Sequence, residues 1–177
     1  IEGNFIGLDP AGAESSVGNN VGVFITGVPG NVIGGTSPSA RNVISQNNND
    51  GIEALGVGAT GNSIFGNFIG TDPGGKLDKG NASEGVFLNN APGNLIGSGA
   101  AGGRNVISGN GGSGVTISSV NATNNQVLGN FIGTDVSGAL AVGNSVHGVS
   151  ITSQNPSGNV IGSPNPGGNT IAFNGQD

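Results

Sequence analysis

Ten carboxylates, four Lys/Arg and one histidine make up the ionic side chains of this 177-residue chain, so each candidate for chemistry can be weighed against its neighbours. Asp9, Asp72 and Asp135 recur 63 residues apart, and each opens a loop that contains glycine. Oxygen-rich loops of this kind can hold calcium. The competing reading is a turn cap, in which the carboxylate accepts hydrogen bonds from the amides that follow it. None of these loops carries the second and third carboxylates that a tight calcium site uses. A second column precedes a recurring glycine: Val21, Asp50, Glu84, Ser113, His147 and Asp177. Asp50 and Glu84 fall on successive units, as do His147 and Asp177. Two carboxylates about 5 Å apart have the separation of a retaining glycosidase pair, and a His–Asp pair can orient a general base. The column is expected to be a corner facing solvent. With no Tyr or Trp in the chain, no such ring stands beside it to hold a sugar, and catalysis is not expected there.

The elements that must position these residues repeat as strictly as the aspartates do. Gly3-Asn4-Phe5-Ile6-Gly7-Leu8-Asp9 returns at Gly66–Asp72 and at Gly129–Asp135. Arg41-Asn42-Val43-Ile44-Ser45 returns as Arg104-Asn105-Val106-Ile107-Ser108. Self-similarity at a fixed period marks a repeat architecture. Glycines 22, 51, 85, 114 and 148 open successive coils, whose lengths therefore alternate between 29 and 34 residues. Each coil holds three apolar segments of three or four residues, punctuated by Asn or Gly, which is a pattern of short strands and tight turns. With 38 glycines and no apolar stripe of helical period, helices are not expected.

Three short strands per coil, stacked, make a three-faced parallel β-helix of about six coils, all-β and a single domain over residues 1–177. The inward columns are expected to be Val23, Ile52, Val86, Val115 and Val149 on one face, and Ile33, Ile64, Ile96, Val127 and Ile161 on the second. Ile6, Ile44, Ile69, Ile107, Ile132 and Ile171 form the third. Asparagine columns mark two corners, one at residues 4, 42, 67, 105, 130 and 169 and the other at 31, 62, 94, 125 and 159. Asn tolerates left-handed backbone, and stacked amides bond along a rod. The 29-residue coils add loops at 34–40, 97–103 and 162–167, and the 34-residue coils add theirs after Asp9, Asp72 and Asp135.

The phrases Gly-Asn-Phe-Ile-Gly-Thr-Asp and Arg-Asn-Val-Ile-Ser-x-Asn resemble the right-handed parallel β-helix repeats of the pectate-lyase-like superfamily. More closely, they are similar to the repetitive segments of bacterial secreted and surface proteins that carry such repeats. Handedness is implied by this resemblance alone. The matching residues are those that build the coil, so the resemblance implies a fold and no activity. A lyase of that superfamily would use an Arg or Lys base beside calcium-binding carboxylates. Arg41 and Arg104 share a repeat position, but the third copy has Gly168 there and no acidic cluster recurs alongside, so Arg41 and Arg104 are expected to brace a loop.

Composition narrows the partners. A net charge of −6 with four bases leaves no basic patch for nucleic acid. The absence of Cys and Met excludes disulfides and suits an extracellular or cell-surface location. No apolar run approaches the roughly 20 residues of a membrane span. Ile1 enters in mid-coil and Asp177 stops one residue before a new coil would open, which suggests a slice of a longer array. Asn81-Ala82-Ser83 and Asn121-Ala122-Thr123 match the glycosylation acceptor pattern, as expected by chance in a chain this rich in Asn and Ser.

The outward strand positions carry the remaining signal. Phe5, Val43, Phe68, Val106 and Phe131 form an apolar row on the third face, and Phe24 and Phe87 stand on the first. Left exposed, these residues would be a contact surface; alternatively, the long loops bearing Leu77 and Leu140 fold back over the third-face row. The expectation is a non-enzymatic extracellular rod, an adhesin stalk or filament subunit that associates with itself end to end or laterally. The alternative is a carbohydrate-active or carbohydrate-binding β-helix whose partner is a surface polysaccharide. No cofactor is expected beyond the calcium considered at the three aspartates.

Overall fold

Among the described residues, sixteen short strands, numbered in chain order, wind into three parallel sheets. A computed structural model describes residues 1–13, 18–100, 102–153, 156–164 and 166–176. The first face stacks β2 (Val23–Thr26), β5 (Ile52–Leu55), β8 (Val86–Asn89), β11 (Val115–Ser118) and β14 (Val149–Thr152). The second stacks β3 (Val32–Gly34), β6 (Ser63–Phe65), β9 (Leu95–Ile96), β12 (Gln126–Val127) and β15 (Val160–Ile161). The third stacks β1 (Phe5–Ile6), β4 (Val43–Ile44), β7 (Phe68–Ile69), β10 (Val106–Ile107), β13 (Phe131–Ile132) and β16 (Thr170–Ile171). Every strand pairs in parallel with the strand one coil away, so the expected β-solenoid is the fold. It makes about four turns, slightly fewer than the about six coils expected.

The three inward columns fall where the pattern put them. Ile33, Ile44, Ile52, Ile64, Ile69, Val86, Ile96, Ile107, Val115, Val127 and Ile132 are all buried in one continuous core. β-Branched side chains suit these pleated, enclosed positions. Ile6 and Val149 are half-buried, and Ile161 and Ile171 are exposed, since they lie on the outermost rungs. The first-face strands are long enough to turn two side chains inward, so Ile25, Ala54, Leu88 and Ile117 add a fourth buried column that the sequence columns omit. Ala59, Ala91 and Ala122 plug the following turn.

The coil-opening glycines have a steric reason. A Cβ on Gly51 would lie 2.7 Å from the Gly85 carbonyl and 2.8 Å from the Ile69 methyl of its own coil. No side chain fits where one coil turns beneath the next. At Gly70 the reason is different: φ is +88°, the left-handed region that lets the chain leave the third face.

Candidate functional site

The most extensive polar structure is made of asparagine. At the corner before the third face, Asn42 donates its backbone N–H and side-chain amide to Asn67 Oδ1, at 3.2 and 2.9 Å. Asn67 repeats the pair of bonds to Asn105, and Asn105 to Asn130. The second Nδ2 proton returns to a carbonyl of the neighbouring coil, that of Ile33 for Asn67 and of Ile64 for Asn105. Each buried amide is thus satisfied on both sides, as burial demands. The column at Asn31, Asn62, Asn94, Asn125 and Asn159 stacks the same way, except that the buried Asn125 Nδ2 has no partner among the described residues. A third ladder, at Asn19, Asn47, Asn81, Asn110, Asn144 and Asn174, occupies the corner before the first face. Sequence reasoning missed it, although the Asn that ends Arg-Asn-Val-Ile-Ser-x-Asn is Asn47 in one copy and Asn110 in the next. The Asn81 side chain is locked into this ladder and inaccessible to glycosylation, whereas Asn121 lies in an exposed turn.

The three repeated aspartates are turn caps. Asp72 Oδ1 accepts the amides of Lys76 at 2.7 Å and Leu77 at 2.8 Å, and Oδ2 accepts that of Gly74. Asp135 accepts the Ser137 hydroxyl and the amides of Ala139 and Leu140; Asp9 accepts those of Ala11 and Ala13. Partial burial disfavours the charge on Asp72, but the Leu77, Lys76 and Gly74 amides and the Lys79 charge outweigh it and hold the carboxyl below its ordinary range. For Asp135 the Ser137 hydroxyl acts first in the same direction, followed by the Leu140 amide. Each carboxylate is thus engaged by the turn that follows it. Among the described residues, no group of three or more His, Cys, Asp or Glu is placed to hold a metal ion.

These capped loops decide the fate of the outward apolar row: of the two arrangements considered, exposed or covered by the long loops, most of the row takes the covered one. Thr71 bridges Asp78, Thr134 bridges Ala141, and Lys79 N–H returns to the Gly70 carbonyl, so each loop lies back along its own strand. Val136 N–H bonds to the Gly75 carbonyl and joins one loop to the next. Beneath them Val43, Phe68 and Val106 are buried with Leu8, and Phe131 packs against them half-buried. The loops cover the row with Gly75 against the Phe68 ring and Gly138 against the Phe131 ring, while Leu77 and Leu140 are exposed. Arg41 stacks over the Phe68 ring at 4.0 Å and donates Nε–H to the Gly66 carbonyl; Arg104 does the same over Phe131 and to Gly129. Both arginines brace, as expected, but they tie their coil to the next one. Of the seven residues expected to form a contact surface, only Phe5 and Phe24 are well exposed, and Phe87 is half-buried.

The acidic corner also differs from expectation. Asp50 is buried, at 3% exposure, where a solvent-facing position was expected. Its Oδ1 accepts the Glu84 N–H at 3.0 Å, and the Glu84 carboxylate in turn accepts the Ser83 hydroxyl. Burial, then the facing Glu84 carboxylate, raises the Asp50 carboxyl to about 6. The His147–Asp177 pairing involves a residue outside those described; His147 Nδ1 lies 3.2 Å from the Gln176 carbonyl oxygen.

Set against protein-family models, curated proteins and solved structures, the chain matches none.

Proposed function

We propose that this chain is a non-enzymatic structural or adhesive rod that acts outside the cell or on its surface, related to the repetitive β-helix segments of bacterial secreted and surface proteins. The observation that supports this reading is uniformity: three asparagine ladders and three apolar columns continue from coil to coil. An enzyme needs one coil unlike its neighbours, and the Asp50–Glu84 corner, the best candidate, keeps its reactive oxygen buried against a backbone amide.

The ladders also have a direction. In each one the side-chain donor of the ladder bond points toward the C-terminal coil and the side-chain oxygen toward the N-terminal coil, while the other Nδ2 proton bonds back. A second copy added in line meets donors with acceptors on all three corners, which favours end-to-end self-association over lateral contact. Electron microscopy of the purified protein should show fibres with an axial repeat of ~4.8 Å. Ile171→Asp, on an exposed outer-rung position, should abolish them without unfolding the chain. Fibres unchanged in that variant would sink the end-to-end reading. Dispersed short rods in both proteins would leave a stalk or a polysaccharide-binding domain, to be tested by a glycan screen.

A further inference from the structure

We propose that the first face is a docking surface for an arginine of a partner protein, with Glu53 as the counter-charge and the Phe24 and Phe87 rings as stacking planes. The three residues stand outward on successive coils, because Phe24 pairs in register with Glu53, and Glu53 with Phe87. Neighbouring strands lie about 4.8 Å apart, so the carboxylate is held between two rings. Phe24 is 52% exposed, and Glu53 and Phe87 are half-buried. Asn20, Val21, Phe24 and Glu53 line an open recess of about 300 Å³. That is the lower limit of ligand pockets, with room for one side chain rather than a whole small molecule.

The molecule itself shows what such a ring takes. On the third face Arg41 lies over the Phe68 ring and Arg104 over the Phe131 ring, each at 4.0 Å. The negative face of a ring attracts a cation, and a planar guanidinium can stack there while its N–H groups bond a carboxylate. The chain has no third arginine for the first face. Its two lysines, Lys76 and Lys79, follow Asp72 in the loop that returns along the third face. Among the described residues no base acts on the Glu53 carboxyl, which burial alone raises. Asp50 and Glu84, at the corner just before this face, lie on the coils of Glu53 and Phe87 and add two carboxylates.

A negative, half-dry site with two ring faces and no cation of its own is complementary to a cation from outside. Arginine fits it better than lysine, because only the guanidinium covers a ring and bonds the carboxylate with the same plane. The inference names a partner for the adhesive half of the function proposed above and rests on that reading for its purpose. Binding itself needs no fibre, so dispersed rods carry the site as well as assembled ones.

The test is NMR titration of the full chain with a capped tripeptide that has arginine at its centre, and with the same peptide carrying citrulline, a neutral isostere. The arginine peptide should shift the Phe24 and Phe87 ring signals and the Glu53 carboxyl-carbon signal together, with one dissociation constant. The citrulline peptide should bind about 10-fold more weakly. Glu53→Gln, at a half-buried outward position, should weaken the arginine peptide by a similar factor. Glu2→Gln removes the same charge from an exposed position before β1 and should change nothing. Phe24→Ala, at an exposed ring, should weaken binding about 3-fold and gives a second reading if Glu53→Gln fails to fold. Equal weakening by Glu53→Gln and Glu2→Gln would reduce the contact to general attraction by an acidic chain and overturn the site. Equal binding of the citrulline peptide would make the face a merely apolar surface and overturn it too. Ring signals that shift with protein concentration alone would assign the face to a second copy instead. Fibres without any saturable peptide shift would remove this site and leave the rod reading standing.

Discussion

The third and first faces both carry outward phenylalanines, and these end differently. On the third, Phe5, Val43, Phe68, Val106 and Phe131 stand in register; on the first, Phe24, Glu53 and Phe87 do. Phe68 is 3% exposed and Phe24 is 52% exposed. Both rings stand on outward strand positions, and the difference comes from what lies beside them. The loops after Asp72 and Asp135 return along the third face, whereas the turns that follow the first-face strands, such as Gly27–Gly30, are too short to cross it. In this solenoid an outward apolar residue becomes a second core wherever a capped loop is long enough to reach it.

Phenylalanine truncation tests that contrast most directly. Phe68→Ala should cost about 3–5 kcal/mol in denaturant unfolding, as for a buried ring, while Phe24→Ala should stay within about 0.5 kcal/mol. Equal costs would mean that the loops do not shield the row. A pair of glycines sharpens the point. Gly27 and Gly75 share a left-handed backbone, φ +64° and +66°, so alanine strains both alike. A Cβ at Gly27 meets nothing within 4 Å, whereas at Gly75 it lies 2.9 Å from the Phe68 ring. Gly75→Ala should therefore cost about 1–3 kcal/mol more than Gly27→Ala, the usual range for overpacking. The smallest effect concerns the caps. Chelation by EDTA should leave the melting curve unchanged, because the Asp72 and Asp135 oxygens are engaged by N–H and O–H donors. A lower melting temperature would restore calcium to these loops.

Much of the rod was legible because its period exposes it. A 63-residue interval with glycine at each coil opening fixes register, and register assigns Ile64 and Ile107 to the core without further information. The Asp50 corner was not legible in the same way. Column membership puts Asp50 above Val21 and below Glu84, but whether that corner is wet or dry depends on how the flanking turns close over it. The third asparagine ladder lies between these cases, visible in spacing and hidden only by alternating loop insertions between Asn47, Asn81 and Asn110.

The sequence by itself determined the coil, its three faces, two of its ladders and the inward columns, since each follows from local alternation repeated at a constant interval. Only the tertiary structure decided that Val43, Phe68 and Val106 are covered, that Arg41 and Arg104 clamp one coil to the next, and that Asp50 is buried against Glu84. The physical reason is that burial of an outward side chain is set by where a capped loop folds back, over its own strand and against the neighbouring loop, and strand alternation alone does not give that path.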